Sequence, residues 1–321
     1  MKIGFIGLGN VGGKLADSLL RNRFYLAVMD LHYAVAKPLI QKGAVWVETP
    51  RQMAEQVDMI ITCLPNPAAS AAVMESEDGI LSGLSSGKIW AEMSTTDEAE
   101  VRRLGQRVIE HGGEPIDCPV SGGCHRAATG NISIFVGTER STFEKAFPVI
   151  QAMGRQILHT GPLGSASVLK VVTNYLASVN LVALGEAMMT ARSAGIDLDT
   201  TYEAIRISSG NSFVHETESQ VILNGSRNIN FTLELVVKDM GLFQAVAERG
   251  QVPVEVSPLV LQIFEDGQRR YGLREWSSNI VRRLEEACGE KLLAPGFPAE
   301  IIDNEPESPG QEVINRRGSK I

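Results

Sequence analysis

The first twelve residues constrain the fold most strongly. An apolar strand pattern, Lys2–Ile6, runs straight into a Gly7-x-Gly9-x-x-Gly12 turn, and an amphipathic helix pattern follows. A glycine triplet alone is a weak signal, but between a strand and a helix it is typical of a dinucleotide-binding βαβ unit. The first glycine permits the turn, the second lets the backbone approach the phosphates and the third allows close helix packing, so we expect the pyrophosphate at the helix N-terminus. The predicted loop contacts to this cofactor are Gly7, Leu8, Gly9, Asn10, Val11 and Gly12.

Asp30 supports the same interpretation and indicates which dinucleotide binds. It ends the next apolar strand pattern, Tyr25–Met29, about twenty residues beyond the glycines. A carboxylate there accepts hydrogen bonds from the ribose hydroxyls and repels a ribose phosphate, and no arginine follows in residues 31–33. The sequence therefore predicts NAD rather than NADP.

Composition excludes several other classes of protein. The chain has 321 residues, enough for two domains, and its net charge of -8 comes without a Lys/Arg stripe, so nucleic acid and anionic membranes are not expected as partners. The chain has no run of eighteen consecutive apolar residues, so we expect no membrane span. It opens on a strand pattern where a signal peptide would stand, so we expect no signal peptide. The four cysteines form no C-x-x-C pair, so we expect no metal site and a reducing, cytoplasmic location.

The order of strand and helix patterns predicts the fold class. Strands alternate with helices through residues 1–163, which predicts a doubly wound α/β, Rossmann-type NAD-binding domain. Residues 164–290 carry only helix patterns and predict an all-α second domain, whose first helix pattern is long and runs from Ser165 to about Gly195. Residues 291–321 are rich in proline and acidic side chains, so we expect an extended or disordered tail.

Two loops that follow strand patterns are candidate cofactor contacts. In an open α/β sheet, ligands bind at the carboxyl ends of the strands. Leu64 and Pro65 follow one strand pattern, where a rigid turn would explain them equally well, and Thr95 follows another. The neighbouring Thr96 is predicted instead to cap a helix that begins at Asp97.

A third loop could bind an acid group. Gly122 and Gly123 can turn successive backbone N–H groups toward an anion, and the hydroxyl of Ser121 adds a donor. From these residues alone, a flexible Gly–Gly turn is the favoured interpretation.

The long helix carries a candidate catalytic pair. Lys170 lies between apolar residues, and Asn174 lies one turn further on the same face. Apolar surroundings disfavour the charged lysine, which could then exchange a proton with a hydroxyl group. Alternatively, the lysine stem lies on the apolar face and its ammonium reaches solvent.

These motifs together resemble the β-hydroxyacid dehydrogenase family, typified by 3-hydroxyisobutyrate dehydrogenase. They are the glycine triplet, Asp117-x-Pro-Val-Ser-Gly-Gly123, Gly161-x-x-Gly-x5-Lys170-x3-Asn174 and Lys238-Asp-Met, in order over residues 1–290. The resemblance implies a Rossmann domain, a long interdomain helix, an all-α substrate and oligomerisation domain over residues 164–290, and assembly into homodimers or homotetramers. It implies that Lys170 is the catalytic lysine and that Ser121, Gly122, Gly123 and Asn174 hold the substrate acid. It also implies cofactor contacts from Leu64, Pro65, Thr95 and Lys238, the last closing over the site from the helical domain.

The expected function is therefore NAD-dependent oxidation of a small 3-hydroxy acid, with Lys170 as general acid/base. One alternative is reduction of a small semialdehyde, such as tartronate semialdehyde, succinic semialdehyde, glyoxylate or sulfolactaldehyde. Two related classes of enzyme fit the sequence less well. Thr173 stands where 6-phosphogluconate dehydrogenases have histidine, and Lys170 argues against an imine reductase, since those enzymes generally lack this lysine. A non-catalytic binding module is the remote alternative. His125 and Arg126 depart from the family pattern; a solvated rim is the favoured interpretation, and contact with a second anionic group on the substrate is the alternative.

Overall fold

The computed structural model describes residues 1–314 and divides the chain into two compact units. The first unit contains residues 1–170 and takes in the C-terminal segment from Asp303, and the second contains residues 171–302. The last seven positions of the predicted tail, 315–321, lie outside the described residues.

The first unit is built on one mixed sheet. Within residues 1–314 it has ten strands, in the order β10-β9-β8-β6-β5-β4-β1-β2-β3 with β7 paired to β8. The pairings are parallel except those of β8 with β6 and β7. The strands are β1 Lys2–Ile6, β2 Tyr25–Met29, β3 Val45–Trp46, β4 Met59–Thr62, β5 Ile89–Glu92, β6 Glu114–Asp117, β7 Val120–Ser121, β8 Ile132–Gly137, β9 Gly154–Gly161 and β10 Gln311–Glu312.

Helices cover both faces of this sheet, which is why its central strands are apolar throughout. Alternate residues point to opposite faces, so Ile61 of β4 packs in one apolar cluster and Ile60 in another. The helices of the first unit are α1 Gly12–Arg21, α2 Tyr33–Gln41, α3 Pro50–Gln56, α4 Pro67–Glu75, α5 Ile80–Gly83, α6 Glu98–Glu110, α7 Gly123–Thr129 and α8 Arg140–Ile150. The arrangement confirms the predicted Rossmann-type domain.

One long helix, α9 (Ser165–Ser193), leads from the first unit into the second. Its length and apolar composition would suffice to cross a membrane, a property that core helices of globular proteins share. The described residues of the second unit are otherwise helical, as predicted. Its remaining helices are α10 Leu198–Arg206, α11 Phe213–Asn224, α12 Leu233–Arg249, α13 Val256–Tyr271, a 3-10 turn at Ser277–Val281 and α14 Arg282–Cys288.

The structure corrects two local predictions. The side chain of Asp97, not that of Thr96, caps α6, since its Oδ1 accepts hydrogen bonds from the backbone N–H groups of Ala99 and Glu100. The glycine turn at Gly122 opens a short helix, α7, that the sequence did not predict. Two glycines at a helix start are poor helix formers, so the local pattern indicated only a loop.

Candidate active site

In the glycine loop between β1 and α1, the packing of the protein leaves no room for a side chain at two glycines but does leave room at the third. Gly7 has φ +95°, and a Cβ there would clash with the carbonyl oxygen of Cys63. A Cβ on Gly12 would clash with the carbonyl oxygen of Gly7. A Cβ on Gly9 would meet no protein atom within 4 Å. The open side of this loop therefore lies at the glycine where a pyrophosphate is expected to approach the backbone.

The other loop residues complete a surface that fits a dinucleotide. Leu8 is buried, whereas Gly9 and Asn10 are exposed beside the first turn of α1. Val11 is the residue before that helix and leaves its N-terminal N–H groups uncapped by its own side chain. Uncapped N–H groups at a helix N-terminus favour an anion, which is the chemistry that a pyrophosphate supplies.

Asp30 lies directly beside this loop, as the spacing predicted. Its Oδ2 accepts a hydrogen bond of 2.8 Å from the backbone N–H of Leu8, and its Oδ1 accepts one of 2.9 Å from that of His32. The side chain is only partly buried, and each carboxylate oxygen keeps a further lone pair for a ribose hydroxyl. The carboxylate thus both fastens the loop to β2 and fits the expected sugar.

A buried network joins the ends of β4 and β5, where Leu64, Pro65 and Thr95 lie. The backbone N–H of Leu64 donates to Ser94 Oγ at 2.6 Å, and Ser94 Oγ donates in turn to Glu92 Oε1. Burial raises the pKa of Glu92 against the opposing hydrogen bonds from Ser94. Sequence reasoning assigned no role to Glu92, although an acidic residue that ends an apolar strand is a signal that could have found it.

The predicted acid-binding loop has the open backbone that its glycines suggested. Gly122 and Gly123 have φ of +123° and +87°; Gly122 follows β7, and Gly123 is the first residue of α7. Ser121 ends β7 and pairs with Ser133 of β8, which holds the loop to the sheet. Two side chains of α7 fold back over the loop: a Cβ on Gly122 would lie 3.4 Å from Arg126 Cδ, and one on Gly123 would lie 2.8 Å from the His125 ring.

Asp117 fastens the beginning of α9, a role that sequence reasoning did not assign. Its Oδ1 accepts a hydrogen bond from the backbone N–H of Gly164 at 2.8 Å. Its Oδ2 accepts from the backbone N–H and the hydroxyl of Ser167, at 2.7 and 2.9 Å. Burial raises the pKa of Asp117, and these three donors oppose the rise. The end of β6 therefore sets the position of the helix that carries Lys170.

Lys170 lies one turn beyond this anchor and is buried, with 7% of its surface exposed. This burial removes most of the residue from bulk water, and the two interpretations of its ammonium, proton exchange with a substrate or contact with solvent, remain predictions. Asn174 lies one turn further along α9, where its Nδ2 donates to Asp239 Oδ2 at 2.5 Å. In the same unit, the Lys238 ammonium pairs with Asp239 Oδ1 at 2.8 Å. The predicted substrate contact of Asn174 and cofactor contact of Lys238 remain predictions.

Two family matches cover nearly the whole chain. Residues 2–161 match the family described as the NAD binding domain of 6-phosphogluconate dehydrogenase. Residues 164–284 match the family described as NAD-binding of NADP-dependent 3-hydroxyisobutyrate dehydrogenase. The boundary between the two matches lies just before α9.

Individual proteins show the same likeness over their full length. The chain is 33% identical to 2-(hydroxymethyl)glutarate dehydrogenase of Eubacterium barkeri, over 90% of this chain and 96% of that protein. It is 32% identical to the NAD-dependent L-serine dehydrogenase of Pseudomonas aeruginosa, over 88% and 97%. A solved structure of 3-hydroxyisobutyrate dehydrogenase from Salmonella typhimurium is 26% identical, with a TM-score of 0.81 over 88% of this chain and 99% of that one. The chain therefore belongs to the β-hydroxyacid dehydrogenase family, whose members are oxidoreductases that act on CH–OH groups with NAD(P).

Proposed function

We propose that the protein is an NAD-dependent dehydrogenase of a small 3-hydroxy acid, with Lys170 as its general acid/base. The observation that carries this proposal is the burial of Lys170 at the start of a helix that Asp117 holds in place. A lysine fixed away from bulk water is suited to exchange a proton with one substrate oxygen.

The proposed roles divide the reaction among the chain's own groups. Ser121, Gly122 and Gly123 hold the substrate carboxylate, and Asn174 orients the substrate beside the lysine. Bound NAD supplies the hydride acceptor. Lys170 takes the hydroxyl proton as the C–H bond of the same carbon breaks and the carbonyl double bond forms. In reverse, Lys170 returns the proton to the carbonyl oxygen of a semialdehyde, so dehydrogenase and reductase are one site run in two directions.

The names of the relatives narrow the proposed substrate class. 2-(Hydroxymethyl)glutarate, L-serine and 3-hydroxyisobutyrate all carry a hydroxymethyl group on the carbon that bears the carboxylate. We propose a substrate of this form, in which the third substituent on that carbon distinguishes the enzymes.

A second anionic group on the substrate is a further candidate, because Arg126 and His125 fold over Gly122 and Gly123. A guanidinium beside a carboxylate-binding loop suits a second carboxylate or a sulfonate. When Arg126 is replaced by alanine, we expect kcat/KM to fall about tenfold further for dicarboxylate substrates than for monocarboxylate substrates. A tenfold loss is the usual contribution of one charge-assisted hydrogen bond.

A substrate panel tests the proposal. NADH formation is followed with 3-hydroxyisobutyrate, L-serine, 2-(hydroxymethyl)glutarate and a sulfonate analogue, each with NAD and with NADP. Lys170→Ala should bind NAD normally in a fluorescence titration yet lose turnover by at least about a hundredfold, because proton transfer typically contributes that much. Lys145→Ala removes an exposed lysine as the matched control. Undiminished turnover by Lys170→Ala would remove this lysine from the mechanism.

The homodimer or homotetramer and the cytoplasmic location expected from the sequence also stand as proposals. Size-exclusion chromatography with light scattering tests the first, and fractionation of the source cells tests the second.

A further inference from the structure

The C-terminal segment 303–313, here named the strap, lies along the first unit. It follows the end of the matched family region at residue 284. Its strand β10 adds to the edge of the sheet, with Gln311 opposite Gln156 and Glu312 opposite Ile157 of β9. Backbone hydrogen bonds flank this pairing, from Gly310 N–H to the Gln151 carbonyl at 2.9 Å and from Val313 N–H to the Ile157 carbonyl at 2.7 Å.

The strap is packed as well as hydrogen-bonded. Gly310 is buried, and a Cβ there would clash with the carbonyl oxygen of Gly154 and lie 2.7 Å from Ile157 Cδ1. Only glycine fits this approach of two backbones. Gly310 therefore holds the strap against β9 at one point, and strap side chains before and after it contact residues of the first unit.

Two acidic side chains of the strap contact the C-terminal ends of two helices. Asp303 Oδ2 accepts hydrogen bonds from the hydroxyl of Thr129, the last residue of α7, and from Asn131 Nδ2 at 2.8 Å. Glu307 pairs with Arg21, the last residue of α1, at 2.9 Å, and accepts from Asn22 Nδ2 at 3.0 Å. The opposite ends of these helices carry the Gly7–Gly12 loop and the Ser121–Gly123 loop.

A carboxylate at a helix C-terminus opposes the helix dipole, so general attraction does not explain Asp303. Burial of this carboxyl would raise its pKa, but the hydrogen bonds from Thr129 and Asn131 outweigh burial and lower it. Asp303 is therefore an anion at neutral pH that specific donors hold at the end of α7.

We propose that Asp303 is a positioning residue: it fixes α7 at its C-terminal end and thereby fixes the Ser121–Gly123 loop at the other end. A helix of seven residues is about 10 Å long, short enough that a hold on one end constrains the other. The functional part of this inference rests on the proposed function, in which that loop holds the substrate acid.

Hydrogen exchange on the full-length protein tests the hold on α7 without any substrate. In Asp303→Ala, amides of residues 124–131 should exchange about two- to tenfold faster than in the wild type, the range expected for one lost hydrogen bond. Asn304→Ala, at an exposed neighbouring position, is the matched control and should leave these amides unchanged. Unchanged exchange at residues 124–131 in Asp303→Ala would overturn the inference.

A conservative pair and kinetics then separate positioning from general stability. Thr129→Val removes the hydroxyl that donates a hydrogen bond to Asp303 and should reproduce the faster exchange. Thr129→Ser keeps this donor, so its amides should exchange as slowly as those of the wild type. With an acid that the wild type oxidises as substrate, Asp303→Ala should raise the KM of that acid about two- to tenfold and leave kcat and the KM of NAD unchanged. A KM that stays at the wild-type value refutes the positioning role. If no acid is oxidised by the wild type, the proposed function fails, and the exchange result still decides whether Asp303 holds α7.

Discussion

At the scale of single residues, the structure distinguishes glycines that folding requires from a glycine that binding would require. Gly7 and Gly12 face backbone oxygens of the protein, so any side chain there would collide. Gly9 faces open space. In the sequence all three belong to one motif, and only the surrounding atoms separate their roles.

This difference gives a paired prediction. Gly9→Ala should fold with an unfolding midpoint close to that of the wild type but bind NAD at least about tenfold more weakly, because the methyl group occupies the approach to the backbone. Gly12→Ala should lower the midpoint, since a Cβ clashes with the Gly7 carbonyl. Thermal unfolding and NAD titration measure the two effects. Equal NAD affinity in Gly9→Ala and wild type would contradict the cofactor role of this loop.

Asp117 gives a second prediction at this scale. Asp117→Asn presents one acceptor oxygen to backbone donors that now have two, so the start of α9 should shift and kcat should fall by about tenfold, as small misplacements of catalytic groups do. Ser165→Ala is the control, because it alters the same turn through a hydroxyl contact with Thr160 and leaves Asp117 intact. A kcat for Asp117→Asn equal to that of the control would show that this anchor does not position Lys170.

Glu218 of α11 predicts a pH dependence of stability. Its Oε2 is buried without a hydrogen-bond partner among the described residues, and burial raises its pKa to about 8 from 4.5. Between these values the unfolded chain loses the proton that the folded chain keeps, so stability falls as pH rises, by at most about 1.4 kcal/mol per pH unit.

Glu218→Gln should remove that loss, so its advantage in free energy of unfolding over the wild type should grow from pH 5 to pH 8, a window that lies inside the shift. Denaturant unfolding across this range measures it. Glu216→Gln, on an exposed face of the same helix, should follow the wild type. If the free energies of unfolding of Glu218→Gln and the wild type changed in parallel with pH, the pKa of the Glu218 carboxyl would not be raised.

At the scale of elements, short segments depend on contacts that their own sequence does not reveal. The helix α7 begins at two glycines and ends where Asp303, far along the chain, meets Thr129. The strand β10 has two residues and exists because the edge of β9 accepts it. Neither element has a periodic pattern long enough to be predicted alone.

The start of α6 shows the same point in a testable form. Asp97→Ala should cost about 1 kcal/mol of stability, because its side chain caps two backbone N–H groups. Thr96→Val should cost little, because the Thr96 hydroxyl is buried without a hydrogen-bond partner among the described residues. Chemical denaturation of both variants compares them. A larger loss in Thr96→Val would restore the capping role that the sequence predicted for Thr96.

At the scale of the whole molecule, cofactor binding should be visible as stability. A ligand at about a hundred times its Kd adds about 2.7 kcal/mol to the free energy of unfolding. In the proposed binding mode Asp30 would repel a ribose phosphate, so at equal concentration we expect NAD to raise the unfolding midpoint more than NADP does.

Asp30→Ala should narrow that difference by weakening the effect of NAD and relieving the repulsion of NADP. Differential scanning fluorimetry with each dinucleotide measures all four midpoints. A larger shift with NADP in the wild type would reverse the cofactor preference proposed from Asp30.

The sequence alone determined the class of fold, the family and the order of the motifs. It could do so because the turn at Gly7–Gly12, the alternation of buried strands with helices and the apolar length of α9 are local patterns, each complete within one stretch of chain. The spacing from those glycines also located Asp30 correctly beside the loop.

Only the tertiary structure decided what holds those parts in place. Asp117 meets Gly164 and Ser167, Ser94 meets Leu64, and Asp303 meets Thr129 because the sheet brings distant segments together. Buried hydrogen bonds between residues tens of positions apart leave no periodic trace in the chain, since each partner looks like an ordinary polar residue until its surroundings exclude water.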